Sequence, residues 1–128
     1  MAGSSERERI KDCIALALST DDMDTILHLS RDSSPLVRRA AVAQLCPCRV
    51  QRDVSAFWAR VFEMAHDEDD AVRAKVLHIL CDGSPSRLEV DVVSTIERTF
   101  NRDTNRDIRR RAHKVLASYK STGRWNIL

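Results

Sequence analysis

The feature that most narrows what this chain can fold into is an internal repeat. Shifted against itself by 35 or 36 residues, the sequence brings residues 32–45, 67–80 and 103–116 into register, and all three segments read D-x4-[VI]-R-x2-[AV]-x3-L. Self-similarity at such a period marks an architecture of stacked supersecondary units. Within the segments, Val37, Ala41 and Leu45, then Val72, Val76 and Leu80, then Ile108, Ala112 and Leu116 fall at i, i+4 and i+8. Each set is therefore one apolar stripe along a helix. A stripe of that kind stays exposed unless neighbouring helices cover it, so the units have to pack on one another.

The residues around the stripes fix where the helices begin and end. The register places Ser34, Asp69 and Asn105 at one equivalent position ahead of each helix, all three being favoured N-caps, with Pro35 at the first helical position of the first unit. Upstream of each capped helix lies a second apolar segment: Ile26 and Leu29; Phe57, Trp58, Val61, Phe62 and Met64; Val93, Ile96 and Phe100. Each repeat is thus expected to be a helical hairpin, at 20–46, 53–82 and 86–120. The breakers Cys46-Pro47-Cys48 and Asp82-Gly83-Ser84-Pro85 separate them. Residues 5–19, with Ile10, Cys13, Ile14, Ala17 and Leu18 on one face, form an extra helix that caps the exposed end of the first unit. Residues 121–128 form a tail.

Composition agrees with helices rather than sheet: 43% of residues are hydrophobic, only 5% are aromatic, and the chain has three glycines. The polar N-terminus and the short apolar run Ile14 to Leu18 fit neither a signal segment nor a membrane span, which makes a cytoplasmic, non-membrane protein the expectation. In that setting Cys13, Cys46, Cys48 and Cys81 are expected as thiols. Charge is unevenly spread. From Asn101 onward there are eight Lys/Arg against two Asp, whereas thirteen basic and seventeen acidic residues precede it. The C-terminal part is the side that would attract an anionic partner.

The D-x4-VR-x2-A-x3-L pattern, over roughly residues 20 to 120, resembles HEAT repeats, in particular the short type grouped with phycobilisome-lyase-like repeats. The resemblance implies an all-α solenoid: a right-handed superhelix of about three antiparallel helical hairpins plus the capping helix, about seven helices in one domain, with the second helix of each pair lining the concave side. It is a resemblance of scaffolding positions and carries little about function.

Two sets of candidate residues follow. Asp32, Asp67 and Asp103 sit in the turns, and Arg38, Arg73 and Arg109 sit one residue after the apolar anchor, so a structural ladder of Asp–Arg hydrogen bonds between successive units is expected. Function should then use positions that the repeat leaves variable. At 100° per residue, those two, three and six after the anchor point away from the stripe. They give a basic track of Arg39, Lys75, His78, Arg110, Arg111 and Lys114, strengthening toward the C-terminus and extended by Arg106, Lys120 and Arg124.

No catalytic motif is present, and three glycines leave little material for a phosphate-cradling loop. Cys46 and Cys81 both follow the last Leu of the motif and read as small core residues; without a CxxC or HExxH, no metal and no cofactor are expected. Trp58 reads as core, and Trp125 as a residue folded back over the last hairpin. The function expected is a non-catalytic scaffold that holds an acidic or amphipathic segment of another protein on its basic concave surface. The alternatives are a nucleic-acid-binding HEAT-like module and, through the repeat type's association with bilin lyases, an accessory subunit of such an enzyme. Three repeats being near the minimum for a stable stack, pairing of two copies through an uncapped end is a further expectation.

Overall fold

A computed structural model describes residues 2–46 and 54–128; Pro47 and Cys48 lie outside them. The described chain is all-helical, with α1 Ala2–Ser19, α2 Met23–Leu29, α3 Pro35–Ala43, α4 Ser55–Met64, α5 Asp70–Leu80, α6 Glu89–Arg102 and α7 Arg106–Thr122, and a 3-10 turn Ser86–Leu88 leading into α6. No helix among the described residues is long and apolar enough to cross a membrane.

The helices start where the sequence places their caps. Asp69 accepts from the Val72 amide at 3.0 Å, and Asn105 from Asp107 and Ile108 at 2.9 and 3.1 Å. Ser34 occupies the N-cap of α3 with Pro35 following, but its side chain makes no capping bond. Packing follows chain order: α2 against α3, α4 against α5 and α6 against α7, while α3 also touches α1 and α5, and α5 touches α7. The stripes meet in these contacts. Val37, Ala41, Leu45, Val72, Val76, Leu80 and Ala112 are at most 1% exposed, Ile108 3% and Leu116 7%. Phe57 and Trp58 of α4 are buried edge to face, their ring centroids 4.8 Å apart.

Two apolar faces differ from the expectation. In α6 the buried line is Leu88, Val92 and Ile96, while Val93 is half-buried and Phe100 is 37% exposed, tilted over the His113 ring at 5.2 Å. The i, i+4, i+8 line begins at Leu88, before the helix proper. Thr95 and Thr99 fill inward places because their hydroxyls donate back to the carbonyls of Asp91 and Thr95 at 2.8 and 2.9 Å. In α1, Ala17 is fully buried and Ile10, Cys13 and Ile14 pack partly, but Leu18 is 60% exposed. It lies about 100° from Ala17 on the helix, off the narrow stripe.

The tail turns back at Gly123, whose φ of +75° closes α7 in the left-handed conformation, and its amide donates to Tyr119 O at 2.8 Å. Trp125 is 7% exposed and its indole N–H donates to Ser84 Oγ at 2.7 Å. Asn126 Oδ1 accepts from the Gly83 and Ser84 amides at 2.8 and 3.1 Å, and Leu128 N donates to Cys81 O at 2.9 Å. The tail therefore satisfies the backbone at the end of α5 and covers apolar surface there. Replacing Trp125 with Ala should cost about 3 kcal/mol, as loss of a large buried side chain does, measured as a lower denaturation midpoint with far-ultraviolet helicity retained in native buffer.

Candidate functional site

The recurrent Asp and Arg are brought together across unit boundaries. Arg38 donates from Nε and Nη2 to Asp67 at 2.9 and 3.1 Å, and Arg73 donates in the same way to Asp103 at 3.0 and 3.2 Å. The remaining guanidinium nitrogen turns to the arginine's own unit. Arg38 Nη1 meets Asp32 O and Ser33 O at 2.9 and 3.1 Å, and Arg73 Nη1 meets Asp67 O and Glu68 O at 2.9 and 3.0 Å. Each aspartate also accepts from the amide two residues on, Ser34, Asp69 or Asn105, at 2.8 to 2.9 Å. One planar, five-donor side chain thus fixes two turns at once, which lysine cannot do. Side-chain exposures of 9% and 8% for Arg38 and Asp67 put this pair largely out of water.

The ladder has an extra rung that the repeat pattern does not contain. Arg9 of α1 donates to Asp32 at 2.8 and 3.1 Å, and also to Glu6. Arg9 precedes its helix's apolar stripe rather than following it, so the motif does not register it; the signal available was that Asp32, alone of the three aspartates, lacked an arginine from a preceding unit. Arg60 of α4 makes a further link, donating to Ser30 Oγ and O at 2.8 and 2.7 Å. At the far end, Arg109 donates from Nη1 to Asp103 O at 2.6 Å, and among the described residues no carboxylate pairs with it.

Hydrogen bonds from Arg9, and then the Ser34 amide, hold the Asp32 carboxyl below its ordinary value, and Asp67 and Asp103 raise Arg38 and Arg73. A carboxyl lowered in the folded state contributes stability that is complete above its unfolded value and is lost as pH falls through the folded one. Arg9 holds the Glu6 carboxyl down as well, so the difference in stability between wild type and Arg9→Met should hold steady from neutral pH to about 4.5 and shrink below it, as chemical denaturation at successive pH values would show. Arg38→Met, which strands a mostly buried Asp67 carboxylate, should cost about 3 kcal/mol in the same experiment at pH 7.

The six residues of the expected basic track do not share one environment. Arg39 is drawn into an ion pair with Asp69 at 2.6 and 2.8 Å, which raises Arg39 and lowers Asp69. His78 lies 3.5 Å from Asp82, and Lys75 is half-buried. Arg110, Arg111 and Lys114 are exposed along α7, and none of them pairs with a carboxylate among the described residues. The pairing of Arg39 was not legible because Asp69 reads equally well as a simple cap, which it also is. Beside Arg111 lies an open hollow of about 210 Å³ between α5 and α7, floored by Ala71, Ala74 and Ile108 and edged by Asp70 and Asp107. Set against protein families, curated proteins and solved structures, the chain has no match.

Proposed function

We propose that this chain is a short α-solenoid of HEAT-like repeats that acts as a non-catalytic scaffold, holding an acidic segment of a partner protein against α7. The repeat of the D-x4-[VI]-R motif, with an Asp–Arg rung between successive units, supports the solenoid. The observation that carries the binding reading is the set Arg110, Arg111 and Lys114, exposed and without carboxylate partners among the described residues, on a helix whose only acid is Asp107. Elsewhere arginines at the unit boundaries are consumed by rungs and caps. Cations left over on one face hold a positive potential that favours carboxylate-rich segments, with bidentate contacts from Arg. The acidic edge of the α5–α7 hollow directs such a segment toward Arg110 and Lys114 rather than along α5. Scarce aromatics weigh against stacking of single-stranded nucleic acid.

The triple variant R110E/R111E/K114E should lose at least tenfold in affinity for a fluorescent Glu-rich peptide, read by anisotropy, while circular dichroism and melting temperature stay close to wild type, because these side chains face away from the core. Binding of duplex DNA but not of the peptide, with a steep salt dependence, would replace this reading with a nucleic-acid one. Equal peptide binding by variant and wild type would refute the assigned face.

A further inference from the structure

At the C-terminal ends of α3 and α5, away from the ladder at their N-terminal ends, three metal-ligating side chains converge. Cys46 lies just beyond the C-terminal end of α3; His78 in the last turn of α5 and Asp82 just after it stand four residues apart. Cys46 Sγ is 3.4 Å from Asp82 Oδ2, His78 Nε2 is 3.5 Å from the same oxygen, and all three ligand atoms lie within 4.8 Å of one another. We propose that Cys46, His78 and Asp82 form a site for a thiophilic divalent cation of the Zn²⁺ class, joining the first unit to the second.

Geometry supports the ion. A tetrahedral metal with ordinary Zn–S, Zn–N and Zn–O bonds separates its ligand atoms by about 3.4 to 3.6 Å, which the two distances to Asp82 Oδ2 nearly match. Exposure is graded in the sense a binding site needs: Cys46 is 6% exposed, whereas the His78 and Asp82 side chains are 38% and 31% exposed, so solvent reaches the group through these two residues. A thiolate, an imidazole and a carboxylate together select borderline and soft divalent ions over Mg²⁺ and Ca²⁺. Binding exchanges the Cys46 thiol proton for the metal.

The ligand set is also unlike a scaffolding feature, because it occurs once. In the third unit the positions equivalent to His78 and Asp82 are Lys114 and Ser118, which offer no comparable ligands beside Cys81. Cys81, equivalent to Cys46 in the repeat, is fully buried within the core and packs there as a small apolar residue. Two cysteines at one repeat position therefore have different surroundings, and among the described residues it is Cys46 that stands with a histidine and a carboxylate.

The test uses the full reduced chain titrated with Zn²⁺ against a chromophoric chelator, and with Co²⁺ followed by absorption. Wild type should take up one equivalent, show a thiolate-to-cobalt charge-transfer band with tetrahedral visible bands, and melt at higher temperature with Zn²⁺ present. Cys46→Ser and His78→Ala should each weaken uptake more than tenfold and remove the melting shift, and Asp82→Asn should do the same. Cys13→Ser and Cys81→Ser should leave all three readouts in place. His78→Ala alters a partly exposed side chain, so circular dichroism in the absence of metal should match wild type. Absence of stoichiometric uptake, or uptake that survives His78→Ala or Cys46→Ser, overturns the proposal and leaves the three groups as a hydrogen-bonded cluster.

Discussion

The guanidinium of Arg38, held between the Asp32 carbonyl of its own turn and the Asp67 carboxylate of the next, is the contact on which the arrangement of units depends. Apolar stripes supply most of the burial, but they are non-directional and tolerate sliding of one helix past another. A bidentate Arg–carboxylate pair is directional, and it sits at the point where the chain reverses. Repeating it at Arg73 and Asp103, and completing it at the N-terminus with Arg9 and Asp32, ties together the α2–α3, α4–α5 and α6–α7 turns and joins α1 to the first of them. The same aspartates order the amides at the start of each following helix, so that one residue type joins local capping to packing between units.

The two ends of the row are treated differently. At the N-terminal end, α1 packs against α3 and contributes an arginine, standing in for a preceding unit. At the C-terminal end the tail covers the α5 terminus through Trp125, Asn126 and Leu128, while Arg109 keeps its inward bond to Asp103 and meets no carboxylate among the described residues. The unmatched rung and the exposed Arg110, Arg111 and Lys114 concentrate positive charge on one helix. In the rest of the chain Arg9, Arg38, Arg39 and Arg73 are each paired with an aspartate, so their charge is neutralised locally. The C-terminal charge imbalance visible in the sequence thus persists at the surface because the pairing partners run out there.

Much of the fold was legible because the repeat, the caps and the stripe period agree with one another. Ser34, Asp69 and Asn105 mark helix starts from sequence alone, and the Trp125 tail folds back onto the end of α5. What escaped reading involves contacts between residues far apart in sequence that carry no local signature. Arg9 lies outside the motif, Arg39 looked uncommitted until Asp69 of the next unit came into range, and the α6 stripe began in a 3-10 turn. The convergence of Cys46 with His78 and Asp82 likewise depends on how α3 and α5 sit side by side, which the repeat register does not specify.

A double-mutant cycle across Arg73 and Asp103 tests the central role of the ladder most directly, because it isolates the coupling of the pair from the packing lost in each single change. With Arg73→Met, Asp103→Asn and the double variant measured by equilibrium denaturation, the pair should show a favourable coupling of at least about 1 kcal/mol. Additivity, with the double variant costing the sum of the two singles, would mean that the apolar stripes alone set the spacing of the units.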